Sequence, residues 1–584
     1  MINLIRNLTK KEFGLLVLIF ILVCFQIYLD LKLPEYMSEI TMLVQKTGSN
    51  LNDIYIAGFK MLICAFVSLG LAIIVAIISA RIASNFSFII RNKVFVKVMS
   101  FSMKEVNSFS TPSLITRTTN DIVQVQMFIV MGLQMLIKAP LTAIFAITKI
   151  YTKNYTWTLI TATAIGILLV VIFICFILAV PKFKILQKLT DNINRIAREH
   201  LDGLNVIRAF NAEKYQNDRF ELANKELTET NLFAYRTLAF LQPSIQMINS
   251  TLTLVIYLAG AVMINEALGL DKLSLFSDMV TFSSYAMQAL MSFMMLVLVF
   301  LMLPRASVAA NRINEIIMTD NSIKDGTLQK GNDNKIGEVE FVNVSFKYPD
   351  ADDYVLENIS FKVKKGETLA LIGATGSGKS TIINLIPRFY DATSGSILVN
   401  GKDIKEYSKN TLSSIIGYVS QKAILFNGSI ESNIIFGDND QIVADDELLN
   451  DAIKVAQADE FISNLDDKNQ AYVAQGGKNL SGGQKQRISI ARAIYRNPDI
   501  LIFDDSFSAL DYKTDQKLRK SLNEECKDKT RIIVGQRIGT IKDADNIIVI
   551  NDGRIDAMGT HEYLLENSKL YKQIALSQLS IEEL

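Results

Sequence analysis

The stretch Gly373-Ala374-Thr375-Gly376-Ser377-Gly378-Lys379-Ser380-Thr381 decides the fold of the C-terminal half. An apolar, strand-like run, Leu369–Ile372, leads into it, and Ile382–Ile386 continues it with helical character. The stretch fits G-x-x-x-x-G-K-[ST] in the strand–loop–helix context that the motif demands. Glycines let backbone N–H groups come close to phosphate oxygens. The N-terminus of the following helix adds a positive dipole. Lys379 is placed to reach β- and γ-phosphates, and Ser380 to offer a hydroxyl to Mg²⁺. Gly373, Thr375, Gly376, Ser377, Gly378, Lys379, Ser380 and Thr381 are therefore the candidate nucleotide cradle. A chance glycine-rich turn would not carry the strand, the Lys-Ser-Thr and the helix together.

Downstream, a second strand-like run, Ile500–Phe503, ends in Asp504. An acidic residue at the C-terminal end of a strand is where nucleotide-bound Mg²⁺ is held. From about Ile336 short β-rich runs alternate with helical stretches, which implies an α/β domain over 336–584. Upstream, Asn, Asp, Lys and Gly crowd the segment Pro304–Lys335, and residues 311–335 read as a linker.

Residues 1–310 read differently. The whole chain has 584 residues, half of them hydrophobic and only 20% charged, and its mean hydropathy is +0.26. That is too apolar for a water-soluble chain of this length. Apolar runs at Phe13–Leu33, Tyr55–Ala80, Val125–Tyr151, Trp157–Val180, Leu241–Ile264 and Leu273–Leu303 each reach the roughly 20 residues that a bilayer span needs. Buried helices of a soluble protein would be shorter and carry a polar face. The first run lacks a small-residue cleavage site and reads as an uncleaved helix rather than a signal peptide. The expected fold is an all-α six-helix transmembrane domain followed by an α/β P-loop domain. Sixty Lys+Arg against fifty-nine Asp+Glu leave no bulk charge that would favour nucleic acid. Four Cys do not make a disulfide framework. Two His, His200 and His561, are too few for a histidine-ligated metal cluster.

Cations cluster after the second run (Arg81, Arg91, Lys93, Lys97, Lys104, Arg117) and after the fourth (Lys182 through Lys225). Both segments, both termini and the P-loop domain are thus expected on the cytoplasmic side of a cell membrane. Arg81–Val98 and Lys182–Glu199 have no Gly or Pro and extend the membrane helices beyond the bilayer. The first is interrupted by turn-prone Asn107–Ser113 and the second meets Asp202-Gly203, so each carries a tip that a short transverse helix would suit.

Between the two nucleotide motifs lies Leu480-Ser481-Gly482-Gly483-Gln484, ahead of a helical stretch. This pentapeptide resembles the signature of ABC-type ATPases, and six spans fused in front of it resemble an ABC exporter half-transporter. The resemblance covers essentially the whole chain. It implies a type IV, exporter-type fold, with ATP and Mg²⁺ as ligands. It also implies that Tyr348, in Phe346-Lys347-Tyr348-Pro349, stacks on adenine, and that Gln421, in Tyr418-Val419-Ser420-Gln421, contacts Mg²⁺ and water. Ser508-Ala509-Leu510-Asp511 resembles the family's dimer-contacting loop, Leu114–Asp121 its first cytoplasmic tip, and Gly203 with Val206–Phe210 its second. In the family two ATP-binding domains sandwich two ATPs, so Ser481, Gly482, Gly483 and Gln484 would complete the site of a second half-transporter.

Three positions depart from the family pattern. Asp505 stands where a Glu polarises the attacking water, one methylene shorter. Gln536, in Ile532-Ile533-Val534-Gly535-Gln536-Arg537, stands where a switch histidine is usual, and an amide carries neither proton nor charge. Gln475, in Ala474-Gln475-Gly476-Gly477, stands where many exporters have Glu. With the signature intact, the pattern resembles the weakly hydrolysing half of a heterodimeric bacterial multidrug exporter whose partner chain supplies Glu and His.

The spans show few charges in their middle, Lys138 and Asp278 being exceptions, which disfavours an ionic substrate. Phe282, Tyr285, Met287, Met291, Phe293, Met294, Met295 and Phe300 make the sixth run rich in adaptable and aromatic side chains. The expectation is ATP-driven export of amphipathic small molecules. A lipid or peptide exporter half, or a regulatory subunit that moves nothing, would share the same motifs.

Overall fold

The computed structural model describes residues 9–46, 49–151, 155–267, 271–437 and 445–578. Its contacts form two units: Met1–Met99 with Pro112–Thr319, and Ser100–Thr111 with Asp320–Leu584.

Among the described residues, the first unit has six helices able to span a bilayer: Lys10–Gln45, Leu51–Met99, Thr111–Tyr151, Tyr155–Asp202, Glu213–Glu266 and Asp271–Met318. At 1.5 Å per residue even the shortest, of 36 residues, outreaches the roughly 30 Å hydrocarbon layer. The first is fixed at its start by a capping box. Glu12 N donates to Thr9 Oγ1 at 3.3 Å, and Thr9 N returns to Glu12 Oε2 at 2.6 Å. Large apolar side chains such as Phe59, Phe66 and Phe173 are exposed on these helices. In water they would drive aggregation; in a bilayer they face lipid.

The interior of this unit centres on Trp157 and Phe282, whose rings lie 5.1 Å apart. Phe282 and Tyr285 are fully buried, and Tyr285 OH donates to Leu31 O at 3.1 Å. These two side chains belong to the helix core, whereas Met287 and Met291 are exposed one turn apart. Phe300 lies outside the residues whose side chains are described. The sixth helix runs on to Met318, through residues that composition placed in the linker. Buried Ala306, Ala309, Ala310, Ile313 and Ile316 recur at helical spacing and carry it past Pro304.

The apolar spans hold more charge than the sequence suggested. Lys138 Nζ lies 3.2 Å from Asp30 Oδ2, and Ser68 donates to the same carboxylate. Glu35 sits between Lys32 and Lys149, at 2.5 and 2.8 Å. Each acid is matched by a cation on a neighbouring turn or helix, which is how membrane charges persist.

The second tip forms the short helix Leu204–Ala209 after the turn at Gly203. The first tip stands one step earlier than Leu114–Asp121: its helix is Met103–Phe109, and Ser110, at φ 59°, breaks it from Thr111–Thr118.

That first tip belongs to the second unit. Asn321 Nδ2 donates to Ser100 O at 3.0 Å, Ser322 N to Glu105 Oε1 at 3.2 Å, and Asn107 Nδ2 to Tyr390 OH at 3.0 Å. Burial pushes the Glu105 carboxyl up, but hydrogen bonds from Ser102 and Ser322 hold it below its ordinary value.

The rest of the second unit is two sheets with helices. The antiparallel sheet runs Leu356–Val363, Val339–Phe346, Ser394–Val399, Lys402–Asp403. The larger one runs Arg554–Gly559, Asn546–Asn551, Thr368–Gly373, Thr530–Val534, Ile500–Asp504, Ile416–Val419, and all but its first pairing are parallel. Its inner strands are near-continuous aliphatic runs because both faces are buried, one of them in a core shared with the antiparallel sheet. The central strand Thr368–Gly373 lies between two strands that follow much later in the chain. Its C-terminal end therefore opens at a switch point of the sheet, where such folds bind ligands.

Candidate nucleotide site

Thr368–Gly373 ends on the phosphate loop, and Lys379–Leu385 starts on its far side. At Gly378 (φ +101°) a Cβ would stand 2.7 Å from the Leu356 side chain, and at Gly373 one would stand 2.1 Å from Ile550 O. Only glycine fits at either position, and the loop backbone stays open at Thr375 and Gly376, which are exposed.

Lys379 is buried, its Nζ donating to Gly373 O at 2.9 Å and Ala374 O at 2.7 Å, with Ser377 Oγ at 3.4 Å. The ammonium thus sits inside the loop that would hold phosphate. Burial pulls it below its usual value, with the Asp505 and Asp504 charges opposing. Thr381 Oγ1 lies 3.1 Å from Tyr348 OH, which ties the aromatic proposed for adenine to the cradle's helix. Tyr348 also meets Tyr390 edge-on, with centroids 5.4 Å apart. Tyr390 carries no motif of its own, so nothing in the sequence singled it out.

Ser380 Oγ donates to Asp504 Oδ1 at 3.1 Å. Two oxygen donors this close, one of them a carboxylate at a strand end, fit a hard cation such as Mg²⁺. When bound, the ion would offset phosphate charge. Burial pushes Asp504 above its ordinary value, against the Ser380 bond.

Asp505 and Gln536 meet each other. Asp505 is buried, takes φ +47°, and anchors its N–H on Val534 O at 3.1 Å. Its Oδ2 accepts from Gln536 Nε2 at 2.8 Å and from Gln421 Nε2 at 3.2 Å. Three loops, each after a neighbouring strand of the parallel sheet, are thereby joined at one oxygen. Burial pushes the Asp505 carboxyl up, while the Gln421 amide pulls against it. His561 is elsewhere, with Nδ1 2.6 Å from Tyr571 OH at the start of His561–Asn567.

Ser481 caps the helix Gly482–Tyr495. Gln484 N donates to Ser481 Oγ at 3.3 Å and Ser481 N to Gln484 Oε1 at 2.8 Å. The Gln484 side chain is therefore engaged in its own helix start, a capping box. Ser481 and Gly482 are exposed, and a Cβ on Gly482 would meet nothing. No hydrogen bond among the described residues links Ser481, Gly482 or Gly483 to the phosphate loop of the same chain, so the signature faces outward, open to another molecule. Gln475 lies exposed in the single turn Gln475–Gly477.

Comparison with known proteins agrees with both units. The ABC transporter transmembrane region model matches residues 15–301, and the ABC transporter model matches 356–508. An ABC transporter ATP-binding protein of Mycobacterium tuberculosis is 37% identical over 516 residues, 87% of each chain. A Bacillus subtilis protein described as a multidrug export ATP-binding/permease protein is 33% identical, over 84% of this chain and 83% of its own. The ATP-dependent lipid A-core flippase of Pseudomonas aeruginosa is 31% identical, over 85% and 80%. In fold, a bacterial Atm1-family ABC exporter solved with ATP bound superposes with a TM-score of 0.80 over 97% of both chains, at 23% identity. The chain belongs to the ABC transporter family, as an exporter half-transporter that joins a six-span membrane unit and an ATP-binding unit in one polypeptide.

Proposed function

We propose that this chain is one half of a heterodimeric exporter of amphipathic small molecules in a bacterial cytoplasmic membrane, and that its own ATP site binds tightly but hydrolyses poorly. The observation that carries this is the pair of amides on Asp505 Oδ2. A catalytic carboxylate must accept a water proton or orient the water. Here one oxygen is taken by two donors that cannot themselves accept a proton. The cradle Gly373–Thr381, Tyr348 for adenine, and Ser380, Asp504 and Gln421 for Mg²⁺ supply binding. The helix start at Ser481–Gln484, exposed at Ser481 and Gly482, supplies the second site, whose base and switch residue come from a different chain.

Purified chain alone, compared with the chain plus its partner, tests this directly. We expect ATP turnover to be low alone and high in the pair; brisk turnover by the chain alone overturns the reading.

The relatives described for multidrug export and for lipid A-core flipping support an amphipathic cargo, either drug-like or lipid. Exposed Met287 and Met291 supply an adaptable apolar surface for it.

A further inference from the structure

A cavity of about 210 Å³ lies between the helices Lys10–Gln45 and Asn120–Tyr151. Cys24, Tyr28, Leu31 and Phe145 line its body. Lys32, Glu35 and Lys149 stand at its mouth. None of these residues takes part in the nucleotide site or in the Met287–Met291 surface.

The height of the mouth matters. Lys32 is twenty-two residues along the helix from Lys10, or about 33 Å at 1.5 Å per residue. That matches the roughly 30 Å hydrocarbon thickness. The charged rim therefore lies at headgroup level on the side opposite Lys10. Cys24, eight residues back, is about 12 Å deeper. The cavity thus has a charged opening in the interface and an apolar body beneath it.

The rim carries two ammonium groups and one carboxylate. Glu35 meets Lys32 at 2.5 Å and Lys149 at 2.8 Å, and Tyr285 OH reaches its Oε1 at 3.5 Å. Both lysines keep solvent access, with side chains 33% and 46% exposed. An ammonium has three N–H donors, so Lys32 can serve Glu35 and a second acceptor together. Lys32 also hangs 5.8 Å above the Tyr28 ring, which joins the cationic rim to the apolar wall. Tyr28 and Phe145 are themselves exposed on the surface that faces lipid.

We propose that this cavity holds an anionic phospholipid of the surrounding bilayer, its phosphate at Lys32 and Lys149 and an acyl segment along Tyr28 and Cys24. Shape selects an amphiphile, depth selects a bilayer lipid, and the excess of ammonium over carboxylate selects a negative headgroup. Glu35 fixes both lysines at the rim and limits the preference, because it already neutralises part of their charge.

The chain has one tryptophan, Trp157, which is 1% exposed and gives a constant background. Tyr28→Trp in the full-length chain therefore places a fluorescent reporter in the cavity wall. The protein is reconstituted in phosphatidylcholine vesicles containing either brominated phosphatidylglycerol or brominated phosphatidylcholine. We expect quenching by the phosphatidylglycerol to half-saturate at about fivefold lower mole fraction. Adding Lys32→Ala and Lys149→Ala should make the two lipids equivalent while circular dichroism stays unchanged. Glu35→Gln, which keeps the shape and removes the competing charge, should widen the preference. Equal quenching with the rim intact overturns the proposal. So does a phosphatidylglycerol preference that survives removal of both lysines. Loss of lipid quenching when the partner chain is added would assign the cavity to the subunit interface, and also overturns it.

Discussion

Gln536 Nε2 donates to Asp505 Oδ2 at 2.8 Å, and this bond joins two of the three residues that the sequence resemblance singles out. Asp505 and Gln536 thus form one arrangement. A shorter acid is matched by an amide that reaches it, and the pair closes over the end of the strands Ile500–Asp504 and Thr530–Val534.

Under the proposed reading, raising hydrolysis at this site should need both positions. Gln536→His with Asp505→Glu is expected to raise turnover of the chain without its partner by about a hundredfold, the scale of general acid–base catalysis. Asp505→Glu alone should do much less. Asp505 sits at φ +47°, where a non-glycine residue carries about 1–2 kcal/mol of strain that Asp tolerates better than Glu. Turnover measured on the three variants decides the matter, and an inert double variant removes the amide pair from the account of slow hydrolysis.

The signature turn should show a stability effect separable from catalysis. Ser481→Ala removes the cap of Gly482–Tyr495 and should lower the stability of the isolated chain by about 1 kcal/mol. Ser481→Thr keeps the cap oxygen and should restore it. Thermal unfolding of the chain without nucleotide is the measurement; an unshifted midpoint in Ser481→Ala counts against the capping role.

In the sixth membrane helix, neighbouring apolar residues should behave in opposite ways. Phe282→Ala empties a packed site beside Trp157 and should cost about 3–5 kcal/mol, seen as loss of folded protein on extraction. Met287→Ala and Met291→Ala, at exposed positions, should change stability by no more than about 0.5 kcal/mol. Their effect should instead appear in substrate-stimulated ATP turnover of the proposed heterodimer. Normal stimulation in the double Met variant would exclude this face as cargo surface.

His561 gives a pH dependence with a definite sign. Burial holds its pKa below the ordinary 6.5, with the Lys542 charge acting the same way. The folded chain thus prefers the neutral imidazole. Its contribution to stability is present above 6.5 and is lost as pH falls from there towards the folded value. Thermal unfolding from pH 7.5 down to 5 should show the wild type losing more stability than His561→Gln. Parallel curves for the two proteins would dismiss the group.

What could be read in the sequence was local. The phosphate loop, its strand and its helix are contiguous from Leu369 to Ile386, so spacing alone placed Lys379 and Ser380. Hydropathy found the spans for the same reason, since each is a single unbroken run. Pairings across the chain were not legible. Asp30 and Lys138 lie 108 residues apart, and Glu35 and Lys149 lie 114. In a hydropathy profile each is an isolated blemish, Lys138 in the middle of its run and the others towards a run's end. Burial within the sixth helix was also hidden, because Phe282 and Met287 look alike by composition and differ only in which neighbour they face. The capping box that Gln484 makes with Ser481 was not legible either, because the motif is read as a block.

The segment Ser100–Thr111 folds onto residues from Asp320 onward, although its flanking helices belong to the membrane unit. During synthesis it emerges more than two hundred residues before its docking surface exists. At about 5–20 residues per second, it waits roughly 10–40 s for that surface to appear. Through that interval Glu105 has no Ser322 to hold and Tyr390 is not yet available to Asn107. The four intervening helices must therefore be synthesised before this piece of the ATP-binding unit can close. A chain with a misinserted helix would present the unclosed tip to chaperones and proteases, so that the quality of membrane insertion is read out at the ATP-binding unit.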